Sequence, residues 1–286
     1  MERILFILKA SRPGLWFQTI WLYVLPVAAL AHPDPVRFWL GLLYVTVPLN
    51  LMVYGWNDLV DRETDRLNPR KDSYLFGARG TLAQLADLPM AIVLTNVPFI
   101  VVFALLDGWV MALVLLGMIA VTGLYNLPER GLRGKPPWEL LNQAGYLLIL
   151  PFSLLLNGAP SPPWQSVAYL VLFCMHAHLM GEIMDVTPDR QAGRRTTATV
   201  LGIIPVKALV LVMILLEAFL IVRVFRDQVL GAFLIFGAAW MVLDIAIWRT
   251  RAYTHKEFTL FGAALNAAGF ASMAWVWYSG TLVRLP

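Results

Sequence analysis

VPLNLMVYGWNDLVDRETD, residues 47–65, passes from uncharged apolar sequence into ten residues that hold five charged side chains. The apolar side of that boundary runs from 38 to 56 without a charge, close to the roughly 20 residues a helix needs to cross hydrocarbon. Comparable runs occupy 14–31, 88–106, 109–128, 140–163, 164–181, 206–222, 229–248 and 258–283. Of these, 164–181 is interrupted by His176 and His178, while Glu217 and Asp244 fall inside 206–222 and 229–248. The 286 residues are 59% hydrophobic and 14% charged, with mean hydropathy +0.68. Soluble domains carry about 25% charged residues, so a water-soluble globule is excluded. The expected fold is an all-α, polytopic membrane protein of one domain, residues 1–286, with nine transmembrane helices in a bundle around a central cavity.

Charge tests that count. With the N-terminus on the cytoplasmic side and the spans alternating, the inner segments hold 18 of the 22 Lys and Arg residues, and the outer ones keep only Arg37, Arg223, Arg226 and Arg284. Such a bias is the positive-inside signal of a membrane protein. The basic pI near 9.3 therefore reflects topology and attraction to membrane lipids. No basic cluster carries a stacking platform for bases, so nucleic acid is not an expected partner, and no obligate protein partner is evident. The opening MERILFILKASRPGLW lacks a small-residue cleavage site and is expected to lead into the first span. Cys174 is the only cysteine, which excludes disulfides and cysteine metal sites. The chain is expected in the plasma membrane, with its C-terminus opposite the cytoplasmic face.

Outer connections are short and inner ones long and polar, so the chemistry is expected in the cytoplasmic loops that cap the bundle. If the second span continues as a helix, Asn57, Asp58, Asp61 and Asp65 are spaced by three and four and share a face. Carboxylates so placed repel one another. Either a divalent cation compensates them, or Arg62 and Arg66 make the stretch a solvated, salt-bridged loop. Oxygen-only ligands favour Mg²⁺. GEIMDVTPDRQAGRRTTATVLG, 181–202, repeats the pattern at the end of the sixth span, with Glu182, Asp185 and Asp189 at spacings of three and four. Two facing acidic segments make a cage for Mg²⁺ and a diphosphate. Arg70, Lys71, Arg133, Lys135, Arg190 and Arg194 supply positive charge at the same level for diphosphate oxygens, or else serve as positive-inside anchors.

These residues resemble the UbiA superfamily of intramembrane prenyltransferases. Asn57, Asp58, Asp61 and Asp65 match its NDxxDxxxD signature; Asp185, Asp189, Gly193, Thr196 and Leu201-Gly202 match its second. RPGLW, residues 12–16, and GLYNLPERGLRGKP, residues 123–136, are similar to its lead into the first helix and to its fourth-to-fifth-helix loop. The resemblance implies a Mg²⁺ cofactor held by Asn57, Asp58, Asp61, Asp65, Asp185 and Asp189, a prenyl diphosphate donor and a lipophilic acceptor. Asp61 and Asp185 are then the central catalytic acids, and Asn57 joins the basic residues on the diphosphate. Tyr125, with Tyr54, Trp56 and Tyr146, offers an aromatic face to a carbocation. AGRRTTATVLG and HAHLMGEIMDVTPD look closer to the carotenoid-modifying branch, the lycopene elongases, which implies a polyene acceptor ahead of an aromatic quinone precursor. Glu182, at helical spacing from His178, is a candidate base, a metal ligand or simply half of a His–Glu pair. Three rival readings stay open: a membrane terpene cyclase with the same metal cage, an ion-coupled transporter, and a phosphatidyltransferase, whose upstream DG and AR pair is missing near Asp58 and Asp185. Glu217 and Asp244 are expected to be structural, paired with Arg223, Arg249 or Arg251 or protonated, and Asn50, Asn96, Asn142, Gln143 and Asn266 to hydrogen-bond between helices.

Overall fold

The computed structural model describes residues 2–251 and 253–286, and among them it contains helices, loops and one isolated bridge between Ser73 and Gly77. Seven helices are long and apolar enough to cross a membrane: Pro35–Val60, Leu82–Asn126, Trp138–Asn157, Trp164–Gln191, Ile203–Val224, Gln228–Ile247 and Lys256–Ser279. Nine were expected, and the difference has two sources. The run 14–31 yields only the 12-residue helix Trp16–Val27, about 18 Å long. Arg12 in the left-handed region and the tight turn Pro13–Leu15 delay its start. The runs 88–106 and 109–128 are two helices that meet at a kink and are counted together as Leu82–Asn126; between them Gly108, with φ 73° and ψ −162°, adopts a conformation that suits a residue without Cβ. Next to that break Arg37 donates to Asp107 at 2.6 Å and to the Leu156 carbonyl at 3.0 Å.

Helix starts carry their own signals. Thr81 with Gln84 and Thr254 with Glu257 form capping boxes, and Asp34 and Asp227 each accept two backbone N–H groups of the helix that follows. Asp227 also accepts from Trp275 at 2.7 Å and Thr281 at 2.5 Å, which ties the last turn of the chain to Gln228–Ile247. Far from the acidic segments, the core is aromatic: Phe103 meets Phe152 and Tyr44 edge-on at 5.0 and 5.4 Å.

Two features set the chemistry. Helix Trp164–Gln191 runs ten residues beyond the span expected to end at 181. Its 28 residues measure about 42 Å against about 30 Å of hydrocarbon, so one end stands clear of lipid and carries Asp185 and Asp189. Polar residues tie the helices as expected at three positions: Asn50 donates to the Thr19 hydroxyl, Asn96 to the Pro48 carbonyl and Asn266 to that of Gly14; Gln143, expected to do the same, donates instead to the Glu139 carbonyl one turn before it. The expected arginine partners of the intramembrane carboxylates are not the ones used. Asp244 pairs with Lys207 at 2.6 Å and accepts from Tyr253 at 2.9 Å; Glu217 pairs with His176 at 2.7 Å. Helix contacts bring these groups together across the bundle, which neighbours in sequence do not reveal.

Candidate active site

The first acidic segment is built by an interrupted helix. Asn50 anchors a π-helical turn, Leu51–Gly55, that leads into Trp56–Val60; such turns recur at functional sites. The backbone departs from helix at Asp61 (φ −89°, ψ 6°) and resumes in Arg62–Leu67. The Asp61 N–H still donates to the Asn57 carbonyl and the Asp65 N–H to that of Asp61, both at 2.8 Å, so near-helical spacing survives the break. Asp58 and Asp65 consequently face one ammonium, Lys71, at 2.5 and 2.8 Å. Asp58, only 1% exposed, also takes Arg12 at 2.6 Å. Asp61 is met instead by Arg133 and Arg194, which arrive from two other loops.

The second segment crosses over to the first. Asp185 accepts from Asn68 at 2.7 Å and from the Arg70 Nε at 2.9 Å, and a second Arg70 nitrogen pairs with its other oxygen. Arg194 links Asp61 to Asp189, the latter at 3.5 Å. Bases from each segment thus serve the acids of the other. Gly193, with φ 70°, ends the long helix and turns Arg194 inward, its N–H donating to the Asp189 carbonyl at 2.8 Å.

Both segments line one cavity of about 510 Å³. Asn57, Asp61, Asp65, Asp185, Asp189, Arg70, Lys71, Arg133 and Arg194 form its polar part, and Trp21, Tyr54, Tyr125, Tyr146, Tyr169 and Phe173 belong to its apolar wall. Tyr125 stands edge-on to His178 at 6.1 Å. Glu182 lines the cavity too, yet one oxygen accepts from the Ala198 N–H at 3.0 Å while His178 lies 3.1 Å from the other. Lys135, Arg190, Trp56 and Asp58 lie outside the lining. Lys135 and Arg190 are exposed, and Lys135 donates to the Glu129 carbonyl. Sequence reasoning missed Arg12, Asn68 and Glu139. Arg12 sits 4.6 Å over the Tyr54 ring and was visible only as part of RPGLW. Glu139 accepts from the Thr197 N–H and hydroxyl at 2.9 and 2.7 Å and fixes the loop after the second segment.

Burial sets the electrostatics. It pushes the Asp65 carboxyl up to about 6, with Asp58 adding to the rise and Lys71 opposing it. Burial likewise lowers Arg133, and Arg194 falls to about 10. Arg12 moves the other way: burial opposes its charge, but Asp58 beside it outweighs that and holds the guanidinium protonated. Among the described residues no three His, Cys, Asp or Glu side chains already stand close enough to hold an ion. The donor set nevertheless fits a hard divalent cation, since Asn57, Asp61, Asp65, Asp185 and Asp189 present only oxygen ligands to the cavity. To hold one, the carboxylates would give up their arginine and lysine partners, which would leave those bases for an anionic ligand.

The comparisons with known proteins agree with this geometry. The model of the UbiA prenyltransferase family matches residues 15–265. A lycopene elongase/hydratase of Corynebacterium glutamicum is 30% identical over 225 residues, 77% of this chain and 78% of that protein. One from Haloarcula japonica is 29% identical over 201 residues, 69% of this chain and 67% of that protein. A UbiA homolog from Archaeoglobus fulgidus, solved with DMAPP and Mg²⁺ and also with GPP and Mg²⁺, superposes with TM-scores of 0.64 and 0.63 over 94% of this chain and 99% of that one, at 18% identity. Two acidic helix ends over one apolar cavity, in a helical membrane bundle matched along most of its length, make this chain a member of the UbiA prenyltransferase family.

Proposed function

We propose that the protein moves a prenyl group from a short prenyl diphosphate to a polyene acceptor of the carotenoid class. The observation that carries this reading is the convergence of both acidic segments, with their bases, on the mouth of one largely apolar cavity. The named activity of the Corynebacterium and Haloarcula relatives supports the acceptor, and the DMAPP and GPP bound by the Archaeoglobus homolog support the donor.

Asn57, Asp61, Asp65, Asp185 and Asp189 would hold Mg²⁺, with Asp58 bracing the first segment from behind. The ion, when bound, neutralises diphosphate charge and assists its departure. Arg70, Lys71, Arg133 and Arg194 are released from the carboxylates to bind phosphate oxygens, which stabilises the leaving group as the allylic C–O bond breaks. Lys135 and Arg190, outside the lining, remain anchors in this reading. The apolar cavity protects the carbocation from water, and Tyr54, Tyr125 and Tyr146 in its lining supply aromatic rings that stabilise it. Acceptor and donor tail occupy the apolar wall. The positive-inside bias supports a cytoplasmic mouth and N-terminus, with the C-terminus opposite.

The test is direct: purified protein, Mg²⁺ and dimethylallyl or geranyl diphosphate are incubated with lycopene or with an aromatic quinone precursor, and the lipids are weighed by mass spectrometry. Lycopene gaining one prenyl unit is expected. Prenylation of the quinone precursor alone would overturn the acceptor, and a cyclic hydrocarbon made from the donor alone would convert the reading to a terpene cyclase.

A further inference from the structure

Deeper than the acidic mouth, the cavity wall carries another ionisable pair. His176 lines the cavity nine residues before Asp185 on Trp164–Gln191, about 13 Å further into the bundle by helical rise. Its Nδ1 stands 2.7 Å from the Glu217 Oε1, on the neighbouring helix Ile203–Phe219. Phe173 holds the ring edge-on at 5.4 Å. With the carboxylate accepting from Nδ1–H, the imidazole keeps Nε2 as a proton acceptor, and that nitrogen makes no hydrogen bond among the described residues.

A purely structural link explains this pair poorly. Glu217 is fully buried at membrane depth, and its Oε2 has no hydrogen-bond partner among the described residues. An unsatisfied carboxylate oxygen there is costly, so a pair selected only to join two helices would satisfy both oxygens or do without the charge. The other intramembrane carboxylate, Asp244, differs in having two donors, Lys207 and Tyr253, on its Oδ2, where Glu217 has the single imidazole. Glu182, nearer the mouth, also leaves Oε1 without a hydrogen bond among the described residues, but its other oxygen is held by the Ala198 backbone and not by an imidazole.

The geometry points to His176 as the base that ends the reaction, with Glu217 as its positioning residue and a tertiary carbocation on the acceptor as its target. The inference rests on the transfer to an alkene proposed above. As the donor C–O bond breaks, its electron pair leaves with the diphosphate. The acceptor double bond then supplies the pair for the new C–C bond and is left with a tertiary cation. His176 Nε2 takes a proton from the adjacent carbon, and that C–H pair becomes the new double bond. If a water molecule adds to the cation instead, the same nitrogen takes the water proton and the product is a tertiary alcohol. Either way the imidazolium is held by Glu217 until the proton passes to solvent.

The test uses the full-length protein and two readouts. A prenyl-tailed tertiary amine carries positive charge where the cation forms, and calorimetry follows its binding with Mg²⁺ and inorganic diphosphate present. Wild type is expected to bind it about tenfold or more tightly than Glu217→Gln, because a buried charge partner has been removed. Retained binding of Mg²⁺ and diphosphate shows that this isosteric variant is folded. In the second readout, the ratio of alkene to alcohol among total products is expected to shift about tenfold or more in His176→Phe and in Glu217→Gln, with partial return in Glu217→Asp. Equal amine affinity in wild type and Glu217→Gln, or an unchanged product ratio in both variants, overturns the inference. A wild type that binds the amine through Glu217 but never prenylates a polyene defeats the acceptor reading and leaves the dyad as a cation-binding pair.

Discussion

The acidic mouth and the Lys207–Asp244 pair are made of the same side-chain types and are both buried, yet they behave as opposites. Lys207 is fully enclosed; besides Asp244 it donates to the Arg249 carbonyl at 3.0 Å and lies 5.2 Å over the Tyr253 ring. Each of its partners belongs to one fixed arrangement. At the mouth, Lys71 is shared by Asp58 and Asp65, and Arg194 by Asp61 and Asp189, all beside a cavity that admits a ligand. Shared, accessible cations can be drawn off by a phosphate, and enclosed ones cannot. Burial of charge alone does not mark a site; access to exchangeable partners does.

Four experiments press on that contrast, beginning with the largest effect. Asp61→Ala or Asp185→Ala should lower turnover by about 10²–10³-fold or more while the protein stays folded and inserted, as read by kinetics and thermal unfolding. Lys207→Met should do the reverse: it strands Asp244 and costs about 3–5 kcal/mol of stability, whereas Lys207→Met with Asp244→Leu recovers most of it. Recovery of stability without any loss of turnover per folded molecule would sharpen the distinction; loss of chemistry in the double variant would break it. Third, Arg70→Ala should raise the KM for the donor about 10- to 100-fold, as expected for one charged hydrogen-bonding partner, while Lys135→Ala and Arg190→Ala leave it near wild type. A large rise in either of the latter would place them on the diphosphate after all.

The smallest effect concerns protons. Asp65 has its folded pKa raised from 3.8 to about 6, so its protonated form favours the fold. That contribution is fully present below about 4 and is lost as pH rises through about 6. Relative to Asp65→Asn, the metal-free wild type should therefore lose thermal stability across this interval. Parallel Tm profiles for the two proteins would remove burial as the governing influence on Asp65.

Much of this was legible before any coordinates. The spacing of three and four in 57–65 and 182–189 identifies acids that emerge together, and the lysine and arginine bias assigns both segments to one side. Asn68 on Asp185 and Arg194 on Asp61 fit that reading. Other features depend on three-dimensional neighbours. Nothing in the sequence couples His176 to Glu217 or Lys207 to Asp244, which lie 41 and 37 positions apart and meet only because helices pack. Apolar length alone does not reveal the late start at Arg12 and Pro13 that shortens the first helix, whereas the break between the uncharged runs on either side of Gly108 falls where the sequence reading put it.

The central claim is that both acidic segments grip one diphosphate through shared divalent metal. Calorimetric titration of inorganic diphosphate into wild type, Asp61→Asn and Asp185→Asn, with Mg²⁺ and then with excess chelator, tests it most directly. Binding that needs Mg²⁺ and disappears in both variants is the predicted result. Binding that survives the chelator, or that is untouched in either variant, would contradict the account.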